Sequence, residues 1–254
     1  MALLLINGSP RGKTGNSRFL IDAFTKGFCR SAPMESVTIT DLRNHPSVQT
    51  LASSIRGFDT VFIAFPLYVD AMPGMVKALF ELLPALGKNT TPLRMGFFVQ
   101  SGFPESTQSL PLERYLKKLC QRLGYEYLGT VIRGGGEIIR IPPPGTHWFF
   151  RMICFIGAHT NLGGVGYLLN PNRLSTQFQR LGAQFAVTST LDSDMVLKLR
   201  SLQKLSAFGF FLYRMIGEHI YWNHLLKKND AQAMKNAAPF SEKDPAESSY
   251  PVSQ

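Results

Sequence analysis

The amino-acid sequence predicts an α/β protein in which a doubly wound sheet of five parallel strands is followed by a mostly helical C-terminal extension. Short apolar runs alternate with longer segments whose apolar residues recur at helical spacing, which is typical of strand–helix–strand crossovers. The alternation ends at Gly134, where three glycines stand in a row. We therefore expect three regions, namely a sheet domain over residues 1–135, a helical extension over 136–228 and a polar tail over 229–254.

The strands are predicted from short apolar segments. Continuous apolar runs, such as the one that begins at Ala2, are typical of strands buried on both faces of a parallel sheet. The second segment differs, because Val37 and Ile39 alternate with polar neighbours as in a half-buried strand. In chain order the predicted strands are Ala2–Ile6, Ser36–Thr40, Thr60–Phe65, Arg94–Gln100 and Tyr127–Ile132.

The helices are predicted from apolar spacing and from residues that favour helix ends. Pro73 suits the first turn of a helix, where its missing N–H group would have no partner in any case. Gly124 suits a helix C-terminus, because glycine readily adopts the left-handed conformation found there. The predicted helical segments are Asn16–Phe28, residues 73–83, Pro111–Leu123, Asn172–Val187 and Ser193–Lys228.

The composition excludes several classes of protein. The chain has 254 residues, of which 44% are hydrophobic and 17% charged, so disorder through most of its length is excluded. No apolar run reaches the roughly 18 residues of a membrane-spanning helix, and the run at Ala2 is too short for a signal peptide. Cys29, Cys120 and Cys154 lie too far apart for a disulfide framework or a metal cluster. We therefore expect a reducing, cytoplasmic setting.

The chain carries an excess of positive charge. It has 27 Lys and Arg residues against 17 Asp and Glu residues, a formal net charge of +10. Both halves share this excess, and no basic tail or basic helix face stands out, so the pattern does not favour a nucleic-acid partner. An anionic small molecule as ligand, or solubility alone, explains the charge equally well.

The connection between the first strand and the first helix has the composition of an anion-binding loop. It reads NGSPRGKTGNS from Asn7 to Ser17. Its glycines permit a close backbone approach, its Ser, Thr and Asn side chains offer donors, and Arg11 and Lys13 add positive charge. A helix N-terminus also presents free N–H groups and a partial positive charge, so the loop is suited to a phosphate.

Two other interpretations of this loop stay open. It resembles the nucleotide P-loop, but three residues separate Gly8 from Gly12 where that motif has four. The third strand also ends in Phe65 and Pro66 instead of an acidic residue that would hold magnesium. The other interpretation is a glycine-rich connector without a ligand.

The loops after the third and fourth strands are predicted to complete the site. Ligands of open parallel sheets bind beyond the carboxyl ends of the strands, near the point where the strand order reverses. The third loop, PLYVDAMPG from Pro66, places Tyr68 and aliphatic residues between two prolines and can form a rigid apolar wall for a flat heterocycle. In the fourth loop, Ser101 and Gly102 offer donors for the polar edge of such a ring.

The stretches LLINGSPRGKTGNSRFLIDAF and FIAFPLYVDAMPGMVKALFELL together resemble the flavodoxin-like NAD(P)H-dependent FMN reductases and their quinone- and nitro-reducing relatives. The resemblance covers residues 1–135 and implies a flavodoxin-like FMN-binding domain. It implies that the first loop holds the FMN phosphate, that the third lines the flavin ring, and that the fourth meets the edge of the ring. The implied phosphate residues are Ser9, Arg11, Asn16 and Ser17, the implied ring residues are Pro66, Leu67, Tyr68 and Val69, and Ser101 and Gly102 are implied at the edge.

The resemblance also implies an activity. Its members are FMN-dependent NAD(P)H oxidoreductases that pass hydride or electrons through bound FMN to a small acceptor such as a flavin, a quinone or a nitroaromatic compound. Because the cofactor carries the redox chemistry, we expect no catalytic acid or base from the protein. Relatives with an iron–sulfur cluster have closely spaced cysteines after the first motif, and this chain has none, so we expect neither a cluster nor another metal.

Two alternatives to an enzyme are kept. One is a non-enzymatic electron carrier of the flavodoxin type, although such carriers tend to be acidic and this chain carries +10. The other is a regulatory module that binds a flavin or an anion without turnover.

The second half of the chain is rich in aromatic residues. The stretches WFFRMICFI, from Trp148, and FGFFLY, from Phe208, carry most of them. We expect these segments to pack on the sheet domain or on a second subunit, and the working hypothesis is that residues 145–228 build a homodimer and shape the pocket over the flavin. A membrane-surface helix is less favoured, because Glu218, His219 and Asn223 interrupt the apolar face.

Overall fold

The computed structural model describes residues 1–68, 70–86, 92–102, 106–135, 171–201, 206–215 and 223–234. Its centre is one sheet of five parallel strands in the order β2-β1-β3-β4-β5. This confirms the predicted doubly wound sheet. The strands are β1 (Ala2–Asn7), β2 (Ser36–Asp41), β3 (Thr60–Pro66), β4 (Arg94–Gln100) and β5 (Glu126–Arg133).

Helices follow the strands and continue through the second half of the chain. Within the described residues they are α1 (Asn16–Ser31), α2 (Val48–Ser54), α3 (Gly74–Leu82), α4 (Leu110–Leu123), α5 (Pro171–Thr188), α6 (Ser193–Ser201), α7 (Ala207–Met215) and α8 (Asn223–Lys228). Short 3-10 turns lie at Gly12–Thr14, Leu42–Asn44, Ile55–Gly57, Leu83–Leu86, Thr107–Ser109 and Gln232–Met234.

The two faces of the sheet have separate apolar cores. One core joins the sheet to α2, α3 and α4, and includes Leu51, Val76 and Leu116. The other joins it to α1, α5 and α6, and includes Phe24 and Phe178. Every residue of β3 is buried, which is the pattern of a central strand covered on both faces. The helical extension therefore contributes directly to one of the two cores.

Helices α1 and α5 cross at very short range. A Cβ atom on Gly27 of α1 would lie 1.8 Å from the carbonyl oxygen of Gln179, and one on Gly182 of α5 would lie 2.0 Å from that of Phe24. Both positions need glycine because backbone touches backbone there. The Phe24 ring stays within stacking distance of the rings of Phe62, Phe98 and Phe185, so the contact also closes an aromatic cluster.

This packing bears on the predicted regions. The helix predicted over Asn172–Val187 is present as α5, and it packs on the sheet that residues 1–135 form. The compact unit that contains the sheet extends from Met1 to Phe210. The region predicted as helical from Ser193 holds α6, α7 and α8, with residues outside the described ranges between them.

A second compact unit spans Phe211–Gln254. Its described part contains α8 and the turn Gln232–Met234. The aromatic stretch that begins at Trp148 lies outside the described residues, and so does most of the polar tail predicted over 229–254. Among the helices that the structure describes, none combines the length and the apolar character needed to cross a membrane.

Candidate functional site

The loops after β1, β3 and β4 begin at the same edge of the sheet. Strand order reverses between β1 and β3, because the chain moves from β1 to β2 on one side and from β3 to β5 on the other. Backbone hydrogen bonds fix the start of each loop. The Gly8 N–H donates to the carbonyl oxygen of Ala64 at 2.8 Å. The Leu67 N–H donates to the carbonyl oxygen of Gln100 at 2.7 Å, and the Ser101 N–H donates to that of Arg133, the last residue of β5, at 2.9 Å. The sequence-predicted segments are therefore brought to the switch point of the sheet, where ligands of this architecture bind.

The loop after β1 folds as two consecutive tight turns that lead into α1. The Gly12 N–H donates to the carbonyl of Ser9 at 2.9 Å, and the Gly15 N–H donates to the carbonyl of Gly12 at 3.0 Å. Gly12 has a φ of 57°, a conformation that favours glycine. Helix α1 begins directly afterwards at Asn16, with no acidic residue in its first turn.

Close packing explains why Gly15 precedes the helix. A Cβ atom there would lie 2.6 Å from the Ser9 hydroxyl oxygen and 3.2 Å from the Gly12 carbonyl oxygen. The Ser9 hydroxyl in turn accepts a hydrogen bond of 3.3 Å from the Arg11 backbone N–H. The loop therefore holds its polar groups against the helix N-terminus with no room for a larger residue.

The predicted phosphate residues divide into buried and exposed groups. Ser9 and Asn16 are buried, while the Arg11 and Lys13 side chains are exposed. Ser17 is 0% exposed, and its hydroxyl has no hydrogen-bond partner within the described part of the chain. A buried hydroxyl without a partner costs about 1–3 kcal/mol. Its position at the N-terminus of α1 is one at which a hydroxyl is able to donate to a bound anion.

The loop after β3 is a short, strained turn. Tyr68 and Ala71 exchange backbone hydrogen bonds of 2.9 and 3.1 Å, and Asp70 between them has a φ of 64°. Pro66 and Leu67 are buried, whereas the Tyr68 side chain is 45% exposed. The structure thus leaves the predicted ring residue Tyr68 open to solvent. Val69 lies outside the described residues.

The loop after β4 is described only at its two ends. Ser101 is buried and Gly102 is partly buried, while residues 103–105 lie outside the described ranges. Gln100, the last residue of β4, is also buried and pairs in register with Pro66 on one side and Arg133 on the other. Gln100, Ser101 and Arg133 therefore place buried polar side chains at the carboxyl ends of β4 and β5.

A side-chain contact at the base of the first loop was not predicted from the sequence. Asn7 and Asp41, the last residues of β1 and β2, are register partners, and the Asn7 amide nitrogen donates to a carboxylate oxygen of Asp41 at 2.6 Å. The only sequence feature that indicates this contact is a polar residue at the carboxyl end of each of the two strands. Its meaning depends on β1 and β2 being neighbours, which the sequence alone does not establish.

The thiol and phenol groups with the largest pKa shifts lie away from these loops. Burial raises the pKa of the Cys120 thiol to about 12, and Cys120 packs in the core beneath α4. Burial likewise raises the pKa of Tyr127 to about 12 on β5, where its hydroxyl lies 2.7 Å from that of Thr130. Both groups therefore stay protonated at neutral pH, and Cys120 acts as a core residue. Within the described residues, acidic, His and Cys side chains form no group of three able to hold a metal ion.

Several solved structures are distantly similar to this chain. An NADPH-quinone reductase from P. pentosaceus is 16% identical with a TM-score of 0.46, covering 71% of this chain and 96% of its own. An azoreductase from Bacillus anthracis is 12% identical with a TM-score of 0.48, covering 73% and 100%. An NAD(P)H:quinone oxidoreductase from Methanothermobacter marburgensis is 13% identical with a TM-score of 0.44, covering 72% and 96%.

Comparisons of the sequence with curated proteins and with family models gave two findings. No curated protein matches the chain significantly. A family model described as a flavodoxin-like fold matches residues 1–137, which is more than half of the chain and contains all five strands and the three loops of the candidate site. The chain therefore belongs to the flavodoxin-like fold family.

Proposed function

We propose that this protein is an FMN-dependent NAD(P)H oxidoreductase that reduces a small acceptor such as a flavin, a quinone or a nitroaromatic compound. The observation that carries the proposal is the buried Ser17 hydroxyl without a described partner, set at the N-terminus of α1 beside a tightly turned loop. A bound phosphate would accept from this hydroxyl and from the first N–H groups of the helix. Arg11 and Lys13, both exposed on the same loop, would neutralise its charge.

The described residues of the edge fit the rest of a flavin mononucleotide. Buried Pro66 and Leu67 with exposed Tyr68 offer an apolar wall for a flat ring. When bound, FMN supplies the hydride and electron transfer, and the polypeptide supplies binding and orientation. The proposed cofactor residues are Ser9, Arg11, Asn16 and Ser17 for the phosphate, Pro66, Leu67, Tyr68 and Val69 for the ring, and Ser101 and Gly102 for its edge.

The phosphate role is tested by comparing FMN with riboflavin, which lacks the phosphate. We expect FMN to bind more tightly, and we expect Arg11→Ala to weaken FMN about tenfold or more, because a charge-assisted contact contributes about 1.5–3 kcal/mol. Arg30→Ala is the matched control, since it removes the same charge from an exposed position near the other end of the 16-residue helix α1. Flavin fluorescence gives both dissociation constants.

Equal affinity of the wild-type protein for riboflavin and FMN would contradict the phosphate role of this loop. An equal loss of FMN affinity in Arg11→Ala and Arg30→Ala would assign the effect to net charge instead of to the loop.

Turnover separates the proposed enzyme from a flavodoxin-type carrier. Under anaerobic conditions, NADH or NADPH should bleach the bound flavin, and a quinone, a nitroaromatic compound or free flavin should restore its colour. A protein that binds FMN but is not reduced by either nucleotide would be a carrier or a binding module. Its net charge of +10 is opposite in sign to that typical of such carriers.

A further inference from the structure

One side chain ties together the loop that follows β1. Asn7 is 0% exposed, and its amide nitrogen donates to the carbonyl oxygen of Gly12 at 2.9 Å and to Asp41 Oδ1 at 2.6 Å. Its amide oxygen accepts from the Ser9 backbone N–H at 3.2 Å. These three bonds use both amide protons and the carbonyl of Asn7 consistently, so the orientation of the amide is fixed by its partners.

The carboxylate of Asp41 holds this amide from the neighbouring strand. Asp41 is 8% exposed, and its Oδ2 lies 3.3 Å from Arg18 Nη1. Arg18 also pairs with Asp22 through a 2.7 Å contact between Nε and Oδ1. The Asp41 carboxylate therefore lies between a neutral amide and a guanidinium group, and through Asn7 it is connected to Ser9, one of the proposed phosphate residues.

We propose that Asp41 is a positioning residue for the anion site at the N-terminus of α1. Its carboxylate orients the Asn7 amide, and the amide sets the Gly12 carbonyl and the Ser9 N–H in the conformation that leaves the loop donors facing an anion. The inference rests on the proposed function of that loop as a phosphate site. It gives a residue of β2 a role in anion binding, although β2 lies outside the anion-binding loop.

The charge of Asp41 and its positioning role predict opposite changes in anion affinity when the residue is removed. A carboxylate near an anion site repels the anion, so a purely electrostatic influence of Asp41 would make its removal tighten binding. If Asp41 acts by position, its removal loosens the loop and weakens binding in spite of the more favourable charge. The direction of the change therefore decides between the two effects.

Four variants separate charge from position. Asp41→Ala removes both, while Asp41→Asn keeps an oxygen that can accept from the Asn7 amide and removes the charge together with its pairing to Arg18. Asp41→Glu keeps the charge and displaces the carboxylate by one methylene group, and it serves if the alanine variant does not fold. Asp22→Asn is the matched control, because it removes a carboxylate from the same arginine without touching Asn7.

The measurements are the dissociation constants of FMN and riboflavin, together with thermal unfolding in the presence and absence of inorganic phosphate. We expect Asp41→Ala and Asp41→Glu to weaken FMN about tenfold and riboflavin less than about twofold, and we expect Asp41→Asn and Asp22→Asn to bind FMN within about twofold of the wild type or more tightly. The same two weakened variants should lose the rise in unfolding temperature that phosphate gives the wild type.

The inference is overturned if Asp41→Ala binds FMN as tightly as the wild type or more tightly. It is also overturned if FMN and riboflavin weaken equally, which would indicate a general structural role. A wild type that does not prefer FMN to riboflavin would count against the proposed function, and the phosphate measurement would still decide the inference. If phosphate does not stabilise the wild type either, both proposals fail.

Discussion

At the scale of single residues, one buried polar group of the candidate site makes no hydrogen bond within the described structure. The Ser17 hydroxyl is buried without a partner among the described residues, although other polar groups of the loop, such as the Asn7 amide, are fully bonded. A folded chain gains nothing from such a group, because its desolvation is not compensated. Under the proposed function, the phosphate of bound FMN supplies the missing acceptor, and the cost in stability is the trade-off common at binding sites.

We expect Ser17→Ala to raise the stability of the flavin-free protein and to lower its affinity for FMN. Without ligand, the variant should unfold at a higher temperature, since the uncompensated hydroxyl costs about 1–3 kcal/mol. Its affinity for FMN should fall several-fold, because a donor to the phosphate is lost. Calorimetry of the flavin-free protein and flavin titration measure the two effects.

Thr25→Val is the matched control for this prediction. The Thr25 hydroxyl, also on α1, is likewise buried without a hydrogen-bond partner in the described structure, but it lies two turns farther along the helix. The valine variant should gain stability and leave FMN affinity unchanged. Unchanged FMN affinity in Ser17→Ala would remove Ser17 from the phosphate site.

At the scale of elements, the contact of α1 with α5 is the tightest feature of the fold. Gly27 and Gly182 allow the two backbones to touch, and the Phe24 ring packs between the helices and the sheet. Adding a methyl group at either glycine must push the helices apart, since the obstacle on each side is backbone and cannot rotate away.

We therefore expect Gly27→Ala and Gly182→Ala to destabilise the protein by about 3 kcal/mol or more, which lowers the unfolding temperature by about 6–12 °C. Gly57→Ala is the control, because a Cβ atom there meets nothing within 4 Å. Thermal unfolding of the three variants measures the difference. A wild-type transition in Gly27→Ala would show that α5 does not pack on α1 as described.

The strands were predictable almost to the residue, whereas two other features were not. Buried apolar runs bounded by turns predicted strands such as β3, and the predicted doubly wound sheet of five parallel strands is confirmed. Helix α2 was missed because it has only seven residues, although Ser47 caps it by accepting from the Thr50 N–H. The pairing of Asp41 with Asn7 was missed because local sequence carries no information about which strands are neighbours.

At the scale of the whole molecule, exposed aromatic side chains bear on the oligomeric state. Phe208 and Phe210 of α7 are 53% and 46% exposed, more than is usual for large aromatic side chains. We expect the full chain to form a homodimer in solution through the aromatic segments of residues 145–228. Sedimentation equilibrium should give twice the monomer mass of 28.3 kDa. A monomer at micromolar concentration would contradict the expectation.

The extent of the folding unit is the second property of the whole molecule. The family match ends at residue 137, and the sequence suggested a complete sheet domain by residue 135. The structure instead covers one face of the sheet with α5, whose Leu174, Phe178, Leu181 and Phe185 are all buried in the core shared with α1. A chain that ended at residue 135 would leave this face covered by α1 alone and would expose the apolar surface that α5 buries, and large exposed apolar patches of this kind cause aggregation.

We therefore expect a fragment of residues 1–135 to be insoluble or to lack a cooperative unfolding transition, and to bind no FMN. A fragment of residues 1–210, which ends where the first compact unit ends, should fold and bind FMN with nearly the affinity of the full chain. Circular dichroism during thermal unfolding and flavin titration of both fragments check this pair of outcomes. A soluble 1–135 fragment that unfolds cooperatively and binds FMN would show that α5 is dispensable. Failure of both fragments would instead place part of the folding information beyond residue 210. The comparison thus locates the end of the flavin-binding unit independently of any acceptor.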